Sequence, residues 1–327
     1  MADTLYIVMP CYNEEEVLHI TAQKLGEKLD ELEKNGKISN ESRVLFVDDG
    51  SKDRTWAIIN ELHEKDGRFQ GVKLSRNRGH QNALLAGLYT AEEKADAIIS
   101  MDADLQDDID AVDKMLDAYY DGAEVVYGVR SHRAKDSFFK RTTAEGFYKI
   151  MQALGVEIVF NHADYRLMSK RAVAGLKQFK EVNLFLRGIV PMIGFKSDKV
   201  YYERAERAAG KSKYPLKKML GLAVDGITSF STKPLGFIFT VAAILIALGV
   251  AGLIVTITLT ALEIIPFWGI ILSAMTLFTG ILAACTAVVG LYVGKNYMET
   301  KHRPPFIIES KTCLLYTSPS PRDPKTS

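Results

Sequence analysis

The chain's pattern predicts an α/β fold with a mostly parallel sheet, followed by a membrane-surface helix and a two-helix transmembrane hairpin. Three observations carry this. Short apolar runs alternate with amphipathic segments through the first two-thirds of the sequence, the pattern of strands joined by crossover helices. Three of those runs end in polar or acidic clusters. Residues 234–262 and 264–294 contain no charged side chain, and each run exceeds the roughly 20 residues that span a bilayer.

In chain order, Leu5 to Met9 reads as a first strand closed by Pro10, then Glu14 to Asn35 as a helix with Asn13 as N-cap. Arg43 to Val47 is a second strand, and Asp53 can cap a helix from Thr55 to about Lys65. Gly71 to Leu74 is a third strand, followed by a helix over Gln81 to Glu92. The apolar run Ala97 to Met101 is a buried fourth strand. Ile109 to Tyr120 is the next helix and Glu124 to Tyr127 a fifth strand. Phe138 to Leu154 reads as a helix, Ala163 to Met168 as a strand, Lys170 to Phe179 as a helix and Lys199 to Glu203 as a further strand. Leu216, Met219, Leu220, Ala223, Ile227 and Phe230 then recur at helical spacing, with Lys217 and Lys218 on the other face. That suits a helix lying on the membrane surface, although a surface helix packed on the domain has the same pattern.

The resulting organisation is a cytosolic domain over 1–211, an amphipathic juxtamembrane segment over 212–233 and two spans within 234–295, at about 235–259 and 268–294. A cytosolic tail follows over 296–312, and residues 313–327 break in style and read as non-native or disordered. Lys211, Lys213, Lys217, Lys218 and Lys233 precede the spans and Lys295, Lys301 and Arg303 follow them, whereas Glu263 to Trp268 between them holds no Lys or Arg. The positive-inside rule therefore places both termini in the cytoplasm of a multi-pass protein of the cytoplasmic membrane. Leu5 to Met9, preceded by Asp3, is too short for a signal peptide. With 41 Lys+Arg against 40 Asp+Glu, the net charge of +1 argues against a nucleic-acid partner. Cys11, Cys285 and Cys313 show no ligand or disulfide spacing and read as reduced and incidental.

The chemistry centres on Asp102-Ala103-Asp104-Leu105-Gln106-Asp107. In extended chain Asp102 and Asp104 share a face. Two hard oxygen donors with room for phosphate oxygens suit Mg²⁺ or Mn²⁺. A solvated acidic turn is the alternative, and a Ca²⁺ loop is disfavoured because Asp107 stands where its glycine is needed. No G-x-G-x-x-G follows the first strand, so a dinucleotide fold would lack its phosphate loop. Instead that strand leads into Pro10-Cys11-Tyr12-Asn13-Glu14, and the second into Asp48-Asp49-Gly50-Ser51-Lys52-Asp53. A carboxylate on this edge can accept N–H bonds from a nucleobase or bond ribose hydroxyls.

As an ordered set, these three stretches resemble the inverting family-2 glycosyltransferases of the GT-A nucleotide-sugar-binding fold. Leu74 to Ala83, Ala163 to Met168 and Gly210 to Tyr214 narrow the likeness to the polyprenyl-phosphate glycosyltransferases, which include dolichyl-phosphate mannose synthase and the bactoprenol glucosyltransferases. The two spans match the bacterial bactoprenol type. The resemblance implies that Pro10, Tyr12, Glu14 and Asp48, with Asp102, Ala103 and Gln106, hold the nucleotide sugar. It implies that Asp104, with Gln106, binds Mg²⁺ or Mn²⁺, and that Arg130 lies near the diphosphate. Arg141, Arg204, Arg207 and Lys211 would meet the lipid phosphate, although Lys211 itself stands where many relatives carry an acid, which puts a specific role for it in doubt. Asp164 is the candidate base, with orienting the sugar or Arg166 as its rival role, and His80 reads as a helix-start residue.

The implied reaction is inverting transfer of a sugar, glucose from UDP-glucose first, to undecaprenyl phosphate, for cell-envelope glycosylation. N-acetylglucosamine and mannose donors are the alternatives. Family members also imply a homotetramer. A processive polysaccharide synthase is a poorer match, because Trp56 and Trp268 do not form that group's Gln-x-x-Arg-Trp motif. A non-catalytic nucleotide-sugar-binding scaffold would not need Asp102, Asp104, Asp164 and Arg130 together.

Overall fold

The computed structural model describes residues 2–131, 162–181, 186–203 and 267–312, with 251, 255, 258 and 262. Eight strands form one sheet in the order β7-β5-β6-β4-β1-β2-β3-β8. In chain order these are β1 (Leu5–Cys11), β2 (Arg43–Asp48), β3 (Phe69–Leu74), β4 (Ala97–Ser100), β5 (Val125–Arg130), β6 (His162–Ser169), β7 (Ser197–Tyr202) and β8 (Ile308–Lys311). The helices described between them are α1 (Leu18–Lys34), α2 (Thr55–Lys65), α3 (His80–Ala91), α4 (Ala111–Tyr120), α5 (Lys170–Leu176), α6 (Leu186–Met192) and α7 (Phe267–Thr300).

Strand alternation builds two apolar layers. Leu5, Ile7 and Met9 of β1 with Val44 and Phe46 of β2 pack on α1, α2 and α4. Tyr6, Val8, Leu45 and Val47 point the other way, onto α3, α5 and α6. Strands buried on both faces explain the continuous apolar runs of β1, β2 and β4. Gly87 lets α3 close onto β1 and β2, because a Cβ there would collide with Val8 and Val47.

β1 is parallel to both β2 and β4, β2 to β3, and β5 to β7. β6 runs antiparallel between β4 and β5. This reversal matters for the site, since β6 begins on the edge where β1, β2, β4 and β5 end.

Several boundaries differ from the sequence reading. β1 continues through Pro10 to Cys11, its residues in register with Val47 and Asp48. Asn13 does not cap α1, which starts after Val17 without a side-chain cap. Asn13 has φ of 54° and its Oδ1 accepts the Lys52 N–H at 2.9 Å, tying the β1 loop to the β2 loop. Asp53 accepts the Thr55 N–H at 3.0 Å from just before α2. Two elements were not foreseen. One is α6, which contains Pro191. The other is β8, which brings part of the supposed tail into the sheet, antiparallel to β3.

The expected helix over 138–154, the surface helix over 213–230 and most of the first span fall outside the described residues. Counting only described residues, no helix is long and apolar enough to cross a membrane. The backbone of α7 is nevertheless continuous over 34 residues, and Met275, Phe278, Leu282, Val289 and Val293 along it are exposed.

Candidate active site

Along the carboxyl edge of the parallel strands, three neighbouring positions carry the expected groups: the end of β2, the end of β1 and the stretch after β4. Asp48, fully buried, accepts the Ser51 N–H through Oδ1 at 3.0 Å, while its Oδ2 has no hydrogen-bond partner among the described residues. Burial pushes its carboxyl above the ordinary carboxylate range. A buried acceptor left open at a sheet edge is costly unless a ligand satisfies it.

Asp49, which the sequence reading gave no role of its own, pins the loop before α3. Its Oδ1 accepts the Arg78 N–H at 2.7 Å and its Oδ2 the Gly79 N–H at 2.9 Å. Gly50 is required beside it: φ is 67°, and a Cβ would lie 2.6 Å from the Asn77 nitrogen. The β1 loop is fixed in turn, with Asn13 donating to Ser51 at 3.0 Å and Glu14 to Thr55 at 2.9 Å through their backbone N–H groups. Pro10, near the end of β1, is buried, and Tyr12, on the loop after it, is exposed.

After β4, Leu105 adopts φ of 56° and the Asp104 Oδ1 accepts the Gln106 N–H at 3.2 Å. The Ala103 carbonyl accepts the Thr21 hydroxyl at 2.9 Å, which anchors the turn on α1. Asp102 is raised above the ordinary carboxylate range, first by burial, with Asp164 and Asp104 adding to it against His80 and Arg130.

The antiparallel β6 brings Asp164 to the same edge. Its carboxylate accepts from Arg166 at 2.8 Å and from both Nε and a terminal nitrogen of Arg187 at 3.2 Å. Burial would raise its pKa, but Arg187, Arg166 and His80 prevail and hold it well below the ordinary range. His80, at the start of α3, lies 3.7 Å from both Asp102 and Asp164. It therefore joins two acids that the sequence treated separately. His80 does start α3, as the sequence suggested, but its contact with both acids was not foreseen, and Arg187 was not singled out at all. Arg187 sits in a helix interrupted by proline, and the approach of His80 to both acids depends on the direction of β6.

Arg130, at the end of β5, donates to the Tyr202 hydroxyl at 3.4 Å, and that hydroxyl donates to Asp107 at 2.6 Å. Tyr165 packs edge-on against Tyr202 and donates to the Asp108 carbonyl at 2.9 Å. These contacts brace the end of the acidic stretch. Arg141, Arg204, Arg207 and Lys211 lie outside the described residues. A cavity of about 460 Å³ lined by Asp3, Asp96, Tyr119 and Glu124 lies at the opposite end of the sheet, away from these groups.

The structure thus brings Asp48, Asp102, Asp104, Arg130 and Asp164 to one edge, with His80 and Arg187 between and beside them. Against known proteins, residues 6–176 match the model of glycosyl transferase family 2. The glycosyltransferase YkoT of Bacillus subtilis (strain 168) is 47% identical over 322 residues, covering 98% of this chain and 96% of its own. A prophage bactoprenol glucosyl transferase homolog of Escherichia coli (strain K12) is 38% identical over 307 residues, covering 93% and 97%. The bactoprenol glucosyl transferase of Shigella phage SfV is 37% identical over 310 residues, covering 93% and 98%. This chain belongs to glycosyl transferase family 2 and is a glycosyltransferase with an α/β fold of mostly parallel sheet.

Proposed function

We propose that this enzyme transfers a sugar, glucose from UDP-glucose in the first instance, to a polyprenyl phosphate such as undecaprenyl phosphate at the cytosolic leaflet, with inversion at the anomeric carbon. The observation that carries this reading is the state of Asp164. A hydroxyl acceptor needs a base to take its proton, and a carboxylate held by two guanidiniums below its ordinary pKa is a poor one. A phosphate monoester, with a second pKa of about 6, is already largely dianionic at neutral pH and needs no base. The bactoprenol glucosyl transferases among the relatives support the same acceptor.

In this reading the open Asp48 oxygen receives a donor N–H or hydroxyl of the nucleoside, and the β1 loop encloses that end. Arg130 lies on the diphosphate side, where a guanidinium suits phosphate oxygens. Asp104 and Gln106 supply hard oxygen donors for Mg²⁺ or Mn²⁺. No group of three His, Cys, Asp or Glu able to hold a metal occurs among the described residues, so the diphosphate would complete the shell, as is usual for Mg²⁺. Such a cation neutralises the charge of the departing nucleoside diphosphate. Asp164 orients Arg166 and Arg187, in line with the rival role considered for it.

Membrane attachment fits the acceptor, whose tail leaves the bilayer only at about 0.8 kcal/mol per CH₂ exposed. The charge-free runs 234–262 and 264–294 are the proposed spans. The pairing of β8 with β3 supports a hairpin, because the chain after α7 returns to the catalytic sheet. An even number of crossings puts both of its ends on one side. The exposed apolar side chains of α7 suit lipid contact.

The reading is tested by incubating membranes holding the protein with radiolabelled UDP-glucose, UDP-N-acetylglucosamine or GDP-mannose and undecaprenyl phosphate, with and without EDTA. Label should enter a lipid product from UDP-glucose and fail to do so with EDTA. Label on water-soluble glycan alone would favour a polysaccharide synthase.

A further inference from the structure

We infer that Tyr202 is a positioning residue for the transfer: its hydroxyl ties Arg130 to the acidic stretch that carries Asp104, so that guanidinium and metal-side carboxylate meet one diphosphate at a fixed separation. This rests on the donor half of the reading above. Register brings the two side chains together, since Tyr202 is paired with Arg130 across the parallel strands β5 and β7. Val126 on β5 and Val200 on β7 belong to the layer packed on α4, and strand alternation puts Arg130 and Tyr202 on that same face.

A guanidinium only donates. The Tyr202 hydroxyl therefore accepts from the Arg130 Nε at 3.4 Å and has its own proton left for Asp107, at 2.6 Å. Tyr202 and Asp107 are each only 3% exposed, so solvent does not compete for that second bond. Donation to Asp107 in turn polarises the hydroxyl oxygen toward Arg130. Among the described residues this hydroxyl is the one hydrogen-bond partner of the Arg130 side chain, which is partly exposed. Its terminal nitrogens stay available to phosphate oxygens.

The other end of the link reaches the metal side. Asp107 follows directly on Gln106, whose N–H closes the turn on Asp104 Oδ1 at 3.2 Å. Tyr165 fixes the Tyr202 ring edge-on at 5.2 Å and holds the Asp108 carbonyl at 2.9 Å. Gly128 makes room for it, because a Cβ there would lie 2.8 Å from the Tyr165 carbonyl oxygen. The two tyrosines thus hold consecutive residues of the acidic stretch, and Tyr202 also meets a cation. A brace for the turn alone has no use for that second partner.

The test uses full-length protein in detergent, as wild type, Tyr202→Phe, Arg130→Gln and the double variant. Phenylalanine keeps the ring against Tyr165 and removes the hydroxyl. UDP affinity with Mg²⁺ is measured by calorimetry, and the KM values for UDP-glucose and undecaprenyl phosphate by transfer. Tyr202→Phe should weaken UDP binding about tenfold, the cost of one hydrogen bond to a charged group, with the acceptor KM within about twofold of wild type. In the Arg130→Gln background the same change should cost less than about twofold, since residues acting as one unit are not additive. An equal loss in both backgrounds, or no loss in the first, would overturn the assignment and leave Tyr202 as a brace. If Tyr202→Phe fails to fold, Asp107→Asn, which removes the charge behind the hydroxyl, goes through the same cycle with the same two outcomes. A wild type that binds UDP but glycosylates no undecaprenyl phosphate would remove the acceptor reading, and the UDP cycle would still decide the role of Tyr202.

Discussion

Asp49 and Arg78 clamp the nucleotide-side loop to the carboxyl-terminal strand. The Asp49 carboxylate accepts the Arg78 backbone N–H at 2.7 Å, while the Arg78 guanidinium donates to the carbonyls of Pro305 at 2.6 Å and Pro304 at 3.1 Å. One residue thus links the loop after β2 to the strap that leads from α7 into β8. Asp49→Ala removes two charge-assisted bonds, with the Gly79 N–H as the second. It should cost about 2–4 kcal/mol in chemical denaturation, and Asp49→Asn roughly half as much. A change below about 0.5 kcal/mol would show that the clamp contributes nothing.

Asp104→Ala should lower metal-dependent transfer on the order of a hundredfold or more while leaving the unfolding transition near that of wild type, since this residue is only partly buried. Undiminished turnover in the variant would refute the metal assignment.

Asp164 gives a signed pH prediction. Its folded-state pKa lies below the unfolded value of about 3.9, because Arg187 and Arg166 outweigh burial. Its stabilisation is therefore complete above that unfolded value and is lost as pH falls through the lower folded one. Between about pH 5 and 8 the Asp164 carboxylate does not titrate. Asp164→Asn should then lower kcat/KM for the acceptor without removing any ionisation from the pH–rate profile in that range. A limb present in wild type and absent in the variant would restore Asp164 as the base.

Away from the site, Lys28 ties α1 to α4. Its ammonium lies 2.6 Å from Asp113, 2.9 Å from Glu31 and 3.1 Å from Asp110, with only 6% of the side chain exposed. Burial works against the charge, but the three acids prevail and raise its pKa. Lys28 and Lys37 in return hold the Asp113 carboxyl below its ordinary range against burial. Lys28→Met should destabilise by about 1–3 kcal/mol at neutral pH. The penalty should shrink as pH falls through the depressed Asp113 pKa, below the unfolded value of about 3.9. Unfolding curves at pH 7 and pH 3 check this, and a constant penalty would contradict it.

Much of the fold was legible because local pattern decided it. β1, β2 and β4 are buried on both faces, and their apolar runs are unbroken. The acidic ends of these strands reached one edge because parallel strands all end there. What the sequence concealed depends on long-range pairing. Nothing in Ala163 to Met168 states that β6 runs antiparallel, yet that direction brings Asp164 to His80 and Arg187. Ile308 to Lys311 is a short polar strand that makes sense only beside the edge of β3, where Lys73 also meets Glu309 at 3.3 Å. Asn13 looked like a helix cap but serves as a link between loops, since α1 begins later.

The central claim is an anionic lipid acceptor, and purified protein in liposomes tests it most directly. Radiolabelled UDP-glucose is supplied with undecaprenyl phosphate or with undecaprenol in its place. The account predicts an organic-extractable, acid-labile glucosyl lipid from the phosphate and none from the alcohol. Equal glucosylation of the two, or none of the phosphate, would contradict it.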